Sequence, residues 1–180
     1  MRDKQYIVEY PSPVGVLTIA SDGQSITGLW IKGQKYYADT LGEHIFAPKL
    51  EIFSQAINWL EQYFNGENPP IILPLAPQGS IFRQSVWDIL LKIPYGEVTT
   101  YGKIAKELEK SSNGKKVSAQ AVGGAVGHNP ISIIIPCHRV VGTNGSLTGY
   151  AGGIQKKIQL LELEGVSMEH LFTPNKGTAL

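Results

Sequence analysis

The first third of the chain contains three short runs of β-branched and aromatic residues, at positions 6–10, 16–21 and 26–31. Pro11-Ser12-Pro13 and Asp22-Gly23 separate these runs, and both are typical turn sequences. Apolar runs of this length with turn residues between them indicate strands joined by tight connections. We therefore predict a β-meander at the start of the chain.

An amphipathic helix is predicted after the meander. Its apolar residues recur at steps of three and four, the spacing of one helix face; they are Leu50, Phe53, Ile57, Leu60 and Phe64. Gly66 is placed to end the helix as a C-terminal cap. Residues 65–70 are rich in Gly, Asn and Pro, so we place a domain boundary between them and Gly79. This predicts an N-terminal domain of residues 1–75 and a C-terminal domain of residues 76–180.

The C-terminal domain is predicted to begin with three helices, each preceded by a hydroxyl residue that can cap its first turn. The capping residues are Ser80 for a helix that ends before Pro94, Thr99 or Thr100 for one from 101 to about 109, and Ser118 for one from 119 to about 126. A buried strand at 131–135, a Gly-rich loop at 142–153 and a last helix at 154–163 complete the predicted order.

The second and third of these helices resemble a helix-turn-helix, with the strand and the Gly-rich loop as a wing. The predicted recognition helix, 119–126, consists almost entirely of small residues. Its Gly123-Gly124 pair costs about 2 kcal/mol of helix propensity relative to two alanines. Small residues allow either close packing against another helix or close approach to another surface. The small residues of 119–126 alone do not decide between these two interpretations.

The composition is that of a globular protein, with 42% apolar and 17% charged residues among 180. The formal net charge of +1 is unevenly distributed. Residues 1–80 carry 5 Lys/Arg against 8 Asp/Glu, whereas residues 81–180 carry 11 against 7. A basic second part is compatible with a polyanion partner, but also with an ordinary solvated surface.

A single cysteine excludes an intramolecular disulfide and a zinc site rich in thiolates. We expect no bound metal and no other cofactor. The chain starts with Met1-Arg2-Asp3 and contains no stretch near the ~20 apolar residues that cross a bilayer. We therefore expect a monomer in the cytoplasm, without a signal peptide or a membrane span.

The one cysteine, Cys137, lies between a β-branched run and a basic pair, in Pro136-Cys137-His138-Arg139. A lone cysteine is more often a small buried apolar residue than a nucleophile. Here the proline forces a turn, and the histidine next to the thiol can deprotonate it, as nucleophilic attack requires. The flanking residues therefore favour a reactive thiol.

Three segments together resemble one known family: Asn129-Pro130, the block from Pro136 to Val140, and Gly149-Tyr150-Ala151-Gly152-Gly153. The chain resembles the O6-alkylguanine-DNA alkyltransferases, from about residue 6 to residue 165. The resemblance implies an α+β fold. Its N-terminal domain would be a ribonuclease H-like α/β domain with a small antiparallel sheet, and its C-terminal domain mostly helical with a winged helix-turn-helix.

The resemblance also implies an activity. Such proteins bind the minor groove of double-stranded DNA and flip the damaged guanine out of the stack, because its O6-alkyl carbon cannot be reached inside a duplex. The alkyl group then passes once, and irreversibly, to the sulfur of Cys137. O4-alkylthymine stays open as a second substrate.

Each catalytic residue implied by the resemblance has an assigned role: Cys137 is the nucleophile, His138 its base, Glu164 the carboxylate that orients the histidine, Asn129 the hinge and Tyr101 the residue that rotates the base. A bridging water is the more natural link between Cys137 and His138 if the backbone is extended. Without the family, Glu164 is a surface charge at a helix end, and Asn129 belongs to an ordinary Asn-Pro turn.

The resemblance further implies contacts to DNA and to the flipped base. The residues expected at the DNA are Tyr101, Ser118, Ala119, Gln120, Gly123 and Arg139. Those expected around the base are Val140, Tyr150, Ala151 and Gly152, with the Ala151 N–H stabilising charge on O6. No role is assigned to residues 172–180.

One position departs from the family pattern. Where the family usually places an arginine that enters the base stack, this chain has Gln120. Glutamine lacks the charge and the planar stacking surface of a guanidinium group. We expect flipping to be less favoured by about 1 kcal/mol, the scale of one hydrogen bond, with Lys115 and Lys116 compensating through phosphate contacts.

Two other classes of protein compete with this interpretation. A lesion-binding protein on the same fold would lack the reactive cysteine, so the presence of Cys137 argues against it. A thiol hydrolase with Asn129 as the orienting residue would normally take its cysteine and histidine from separate segments. In this chain the two are adjacent.

Overall fold

The computed structural model describes residues 4–175, which divide into two units. The first comprises residues up to Gln78 together with Pro130–Ile134, and the second comprises Gly79–Asn129 and the chain from Ile135 onwards. The boundary drawn at residue 75 from the sequence stays a prediction. The predictions for residues 1–3 and for the end of the 172–180 tail, residues 176–180, lie outside the described residues.

The first unit contains the predicted meander. Its strands are β1 (Gln5–Ser12), β2 (Gly15–Ser21), β3 (Ile26–Ile31) and β4 (His44–Phe46), in the order β3-β2-β1-β4. The first three pair antiparallel, as predicted, but β4 pairs parallel to β1. The sheet is therefore mixed: the predicted antiparallel strands are present, and β4 adds a parallel strand at the edge. Strand β4 was not predicted, since a three-residue strand has too few positions to show a period.

Helix α1 (Glu51–Phe64) follows the sheet and packs against β1 and β2. It ends near Gly66, whose φ of +84° suits a C-terminal cap. Its buried residues are Ile52, Phe53, Ala56, Trp59, Leu60 and Tyr63. Ile57 and Phe64 are only half-buried. The helix was thus predicted correctly, but its buried face is rotated from the one the apolar spacing indicated.

The second unit carries four helices and one short pair of strands. The elements are α2 (Ile81–Leu90), β5 (Thr99–Thr100), α3 (Tyr101–Ser111), α4 (Ala119–Gly127), β6 (Val140–Val141) and α5 (Ile154–Leu163). Strands β5 and β6 pair parallel. The Trp87 indole N–H of α2 donates to the Ala125 carbonyl of α4 at 2.8 Å, which fixes these two helices together.

The predicted N-terminal caps of the helices are present. The Ser80 hydroxyl accepts from the Arg83 N–H at 3.2 Å, and the Thr100 hydroxyl accepts from the Lys103 N–H at 3.1 Å. The Ser118 hydroxyl accepts from the Ala121 N–H at 3.0 Å, at the start of α4. Each bond satisfies a backbone donor that the helix itself leaves without a partner.

The strand predicted at 131–135 does not form. Ile131 makes one isolated bridge to Leu29, and the chain then turns around Ile133, whose φ is +71°. The Ile134 N–H donates across this turn to the Ser132 carbonyl at 2.8 Å, which makes it a γ-turn. A positive φ is rare for a β-branched residue and is held only where the surroundings enforce it. The run is buried as predicted, but burial does not distinguish a strand from a turn.

Candidate active site

A second tight turn places Cys137. Pro136 has φ −81° and ψ 64°, and the Cys137 N–H donates to the Ile135 carbonyl at 2.8 Å. These values describe an inverse γ-turn, which proline favours through its fixed φ. The next three residues, Cys137–Arg139, form a single 3₁₀ turn instead of the extended chain considered above. The cysteine is 4% exposed and forms no disulfide.

Asn129 closes the chain segment that leads to this turn. Its side-chain amide donates to the Ile135 carbonyl at 2.9 Å, and the residue is buried. The Asn129 side chain also hydrogen-bonds the cysteine thiol, which lowers the thiol pKa. This residue therefore supports both the backbone before the cysteine and the thiol itself.

Glu164, at the C-terminus of α5, binds His138. The His138 Nε2 lies 3.2 and 3.1 Å from the two carboxylate oxygens. Both side chains are fully buried. The predicted carboxylate–histidine contact is thus present. With a proton on Nε2 facing the carboxylate, the lone pair of the imidazole is on Nδ1, where it can accept another proton.

Arg139 binds the same carboxylate. Its Nε lies 2.7 Å and its Nη2 2.5 Å from Glu164 Oε1, while its Nη1 donates to the Ile93 carbonyl at 2.6 Å. The Tyr95 ring lies 5.8 Å from the guanidinium carbon. The residue is 8% exposed. The guanidinium is thus engaged in an internal ion pair, which argues against the predicted contact of Arg139 with DNA.

The surroundings shift the pKa values of these groups. Burial raises the pKa of Cys137, and the Asn129 hydrogen bond and the Lys157 charge oppose this only in part. Burial lowers the pKa of His138 despite the neighbouring Glu164. Burial alone would raise the pKa of Glu164, but hydrogen bonds from His138 and Arg139 hold it below the usual value. The site at rest therefore contains a neutral thiol, a neutral imidazole and a carboxylate.

The sequence interpretation missed Lys157. This lysine is fully buried, and its ammonium donates to the carbonyls of Val140 at 2.5 Å and Thr148 at 3.1 Å. Burial lowers its pKa to about 8, against the opposing effect of Cys137. One signal could have revealed it: Lys157 occupies an apolar position of α5, three residues after Ile154 and three before Leu160, both buried.

The Gly-rich loop comes close to Tyr101. The phenol of Tyr101 donates to the Thr148 carbonyl at 2.9 Å. Gly149 has φ +86°, and a Cβ there would lie 2.5 Å from the Tyr101 oxygen. No other residue fits at this position without moving Tyr101. Burial raises the pKa of the phenol well above its usual value, so it stays protonated.

The remaining predicted pocket residues lie on this loop and on β6. The ring of Tyr150 stands edge-on to His138, with 6.5 Å between ring centroids. Ala151 and Gly152 are half-buried and precede α5, which starts after Gly153. The carbonyl of Val140 accepts from Lys157, as described above.

The predicted DNA-contacting residues of α4 occupy its first turns. Ser118, Ala119 and Gln120 are exposed at the N-terminal end. Gly123 is half-buried, and a Cβ there would lie 3.9 Å from the ring of Tyr101. The position of Gly123 therefore fits helix packing as well as DNA contact, and the assigned DNA role of these residues stays a prediction.

Among residues 4–175, no three His, Cys, Asp or Glu side chains come together in a way that could hold a metal ion. In the same range, none of the helices combines the length and the apolar character needed to cross a membrane.

Comparisons with known proteins agree across both units. Residues 6–77 match the family model of the 6-O-methylguanine DNA methyltransferase ribonuclease-like domain. Residues 81–166 match the model of the 6-O-methylguanine DNA methyltransferase DNA binding domain. A methylated-DNA–protein-cysteine methyltransferase of Haemophilus influenzae is 44% identical over 162 residues, which are 89% of this chain and 87% of the relative.

Solved structures show the same similarity. The O6-methylguanine methyltransferase of Mycobacterium tuberculosis matches with a TM-score of 0.75 and 43% identity, covering 89% of this chain and 92% of the other. A structure of Mycobacterium tuberculosis OGT in complex with DNA matches with a TM-score of 0.74 and the same identity and coverage.

Proposed function

Since the chain belongs to the 6-O-methylguanine DNA methyltransferase family, we propose that it repairs DNA by direct transfer of an alkyl group from O6-alkylguanine to Cys137. One observation carries the assignment of the acceptor. The only cysteine of the chain lies buried beside a histidine that a buried carboxylate orients. In that arrangement the histidine can deprotonate the thiol for the reaction, although the thiol is neutral at rest.

The first step is removal of the thiol proton. The Cys137 thiol is neutral at rest because burial raises its pKa, so attack on carbon needs a base. His138 is neutral and can take the proton on Nδ1, since Nε2 faces Glu164. Glu164 then stabilises the imidazolium that forms, as the carboxylate of a catalytic triad does.

The second step is the transfer itself. The thiolate sulfur attacks the alkyl carbon, an S–C bond forms, and the C–O6 bond breaks with its electron pair left on guanine. The proton returns from the imidazolium to the guanine, so the net exchange is alkyl for hydrogen. Lys157 is charged below its pKa of about 8 and stabilises the thiolate electrostatically.

The reaction ends after one turnover for each molecule. Cleavage of the S–C bond would have to expel the thiolate from an unactivated thioether, which is slow, and we assign no residue of the described site to this step. The protein is thus a stoichiometric methyltransferase. We also propose that it works in the cytoplasm, where a free thiol stays reduced.

The DNA is held through the helix-turn-helix formed by α3 and α4. We propose that the first turns of α4 enter the minor groove, that Tyr101 assists rotation of the base, and that Gln120 fills the space left in the stack. The flipped guanine is received by the loop that carries Tyr150, Ala151 and Gly152, where small residues leave room for a base.

Mass spectrometry of the Cys137 peptide tests this proposal. After incubation with a duplex containing O6-methylguanine, the peptide should carry one added methyl group, with at most one transfer for each protein molecule. Cys137→Ser and an unmodified duplex are the controls, and both should show no transfer. Binding without methylation would indicate a lesion-binding protein instead. Repeated turnover would indicate a hydrolase.

A further inference from the structure

The segment after α5 pairs with the Gly-rich loop. We call residues 168–172 the strap. The Leu147 N–H donates to the Phe172 carbonyl at 2.9 Å, and the Phe172 N–H donates to the Gly145 carbonyl at 3.1 Å. Ser146, between the two loop residues, pairs with Phe172 as an isolated parallel bridge. The strap thus holds both ends of the three-residue segment 145–147 through backbone hydrogen bonds.

The strap and the loop approach so closely that only glycine fits at the contact. Gly145 has φ +92°, and a Cβ there would lie 2.1 Å from the His170 carbonyl oxygen. Contact distances below 3.0 Å are essentially never seen for a real Cβ. The obstacle is backbone, which cannot turn aside as a flexible side chain does. Any side chain at residue 145 therefore displaces the strap.

Apolar side chains anchor the strap on its inner side. Met168 and Leu171 are partly buried and pack against a buried cluster. The cluster contains Val141 of β6, Leu147 of the loop, and Ile154 and Leu161 of α5. The strap therefore contacts the same apolar group as the strand that follows the cysteine and the helix that carries Lys157.

The loop enters the candidate active site directly after the strapped segment. Thr148, next to Leu147, offers its carbonyl to both the Tyr101 phenol and the Lys157 ammonium. Gly149 then packs against Tyr101. The loop is thus fixed on one side by residues of the reaction site and on the other by the strap. Without the strap, this end of the loop keeps the bonds of the Thr148 carbonyl and a local turn in which the Gly142 N–H donates to the Ser146 carbonyl at 2.8 Å.

From these contacts we propose that the strap is a positioning element for the alkyl transfer, which sets the loop that receives the flipped base. The inference rests on the proposed function. It assigns a role to residues 168–172, of which only Phe172 belongs to the tail left without a role in the sequence interpretation. The strap acts through Leu147 and Thr148 without touching the reacting atoms.

Two variants test the proposal: Gly145→Ala and a chain that ends after Ser167. Gly33→Ala is the matched control, because Gly33 has a similar φ of +88° and open space around its Cβ. Both test variants should lower the transfer rate at saturating methylated duplex at least tenfold, and the control less than twofold. Affinity for unmodified duplex should change less than twofold in all three, and amide hydrogen exchange at Leu147 should speed up only in the test variants.

The readouts separate the possible failures. A folded Gly145→Ala protein with faster exchange at Leu147 and an unchanged transfer rate would overturn the positioning role. If the transfer rate and the duplex affinity fell together, the strap would merely support folding, and the proposal would also be wrong. An inactive wild-type protein would instead refute the proposed function. If the shortened chain does not fold, Gly145→Ala alone decides.

Discussion

At the scale of single residues, Glu164 has two partners at once, His138 and Arg139. We expect Glu164→Gln to lower the free energy of unfolding by about 3 kcal/mol, because breaking a buried pair leaves the guanidinium charge uncompensated. Glu162→Gln, an exposed change two residues earlier, should stay within about 0.5 kcal/mol. Urea unfolding near neutral pH measures both.

The same variant should change the pH dependence of stability. The pKa of Glu164 is lowered on folding, so its contribution is complete above its ordinary pKa of 4.5 and is lost as the pH falls. Wild type should therefore approach the stability of Glu164→Gln in acid. A gap between the two proteins that stayed constant down to about pH 3 would contradict this assignment.

Lys157 should show a pH dependence of the same sign in a higher pH range. Its pKa falls from 10.5 to about 8 on folding, so in this range the unfolded chain binds the extra proton and rising pH stabilises the fold. In a Cys137→Ser background, which removes the titrating thiol, the stability of the Lys157 protein relative to Lys157→Met should rise by about 2.5 kcal/mol between pH 7 and pH 10. Urea unfolding at several pH values measures this rise. A flat difference would mean that Lys157 titrates normally.

The site residues could be predicted only in part. Cys137, His138 and Glu164 were identified because their motif resembles a known family, and the structure brings His138 and Glu164 together. The ion pair of Arg139 was not foreseen, because its partner Glu164 lies 25 residues away along the chain. Such pairings depend on tertiary packing, which local patterns do not contain.

At the scale of elements, α4 combines poor helix propensity with an exposed N-terminal face. A Cβ at Gly124 would meet no atom within 4 Å. We expect Gly124→Ala to raise the free energy of unfolding by about 1 kcal/mol, the usual gain in a helix interior, while weakening the affinity for duplex DNA. Unfolding and binding measured on one preparation test both effects. A stabilised variant with unchanged affinity would show that this glycine does not face the DNA.

Gln120 allows a gain-of-function test in the same helix. Gln120→Arg should accelerate alkyl transfer about fivefold to tenfold, the equivalent of about 1 kcal/mol in the flipping equilibrium. Single-turnover transfer on a methylated duplex gives the rate, and Gln84→Arg, remote in sequence on α2, controls for added positive charge. A lower transfer rate for Gln120→Arg would contradict the hypothesis that arginine supports base flipping better than glutamine at this position.

The helices were predicted better than the connections between them. The starts of α2, α3 and α4 follow from hydroxyl caps, and most helix ends lie near a glycine or proline, which are local properties. The failure at 131–135 has a different origin. Residues in that run were expected to be extended because they are β-branched, but Ile133 adopts a positive φ that no intrinsic preference would select.

At the scale of the whole molecule, the charge of the second part of the chain should appear in the salt dependence of DNA binding. Replacing both Lys115 and Lys116 with Gln should reduce the slope of log affinity against log salt by about 2 if both lysines contact phosphates. Binding titrations at four salt concentrations measure the slope. The pair Lys32 and Lys35, changed to Gln in the first unit, is the control and should leave the slope unchanged.

The hydrogen bonds of Arg139 also have a consequence for how the protein is made. They join Arg139 to Ile93, 46 positions earlier, and to Glu164, 25 positions later. In addition, the Tyr95 hydroxyl donates to the Leu163 carbonyl across 68 positions. Contacts between such distant positions form late in folding, since a long loop must close first. During synthesis, His138 and Arg139 therefore lack their common carboxylate partner until residue 164 has been added. Under the proposed function, alkyl transfer from DNA would thus begin only once the second unit has been synthesised almost to its end.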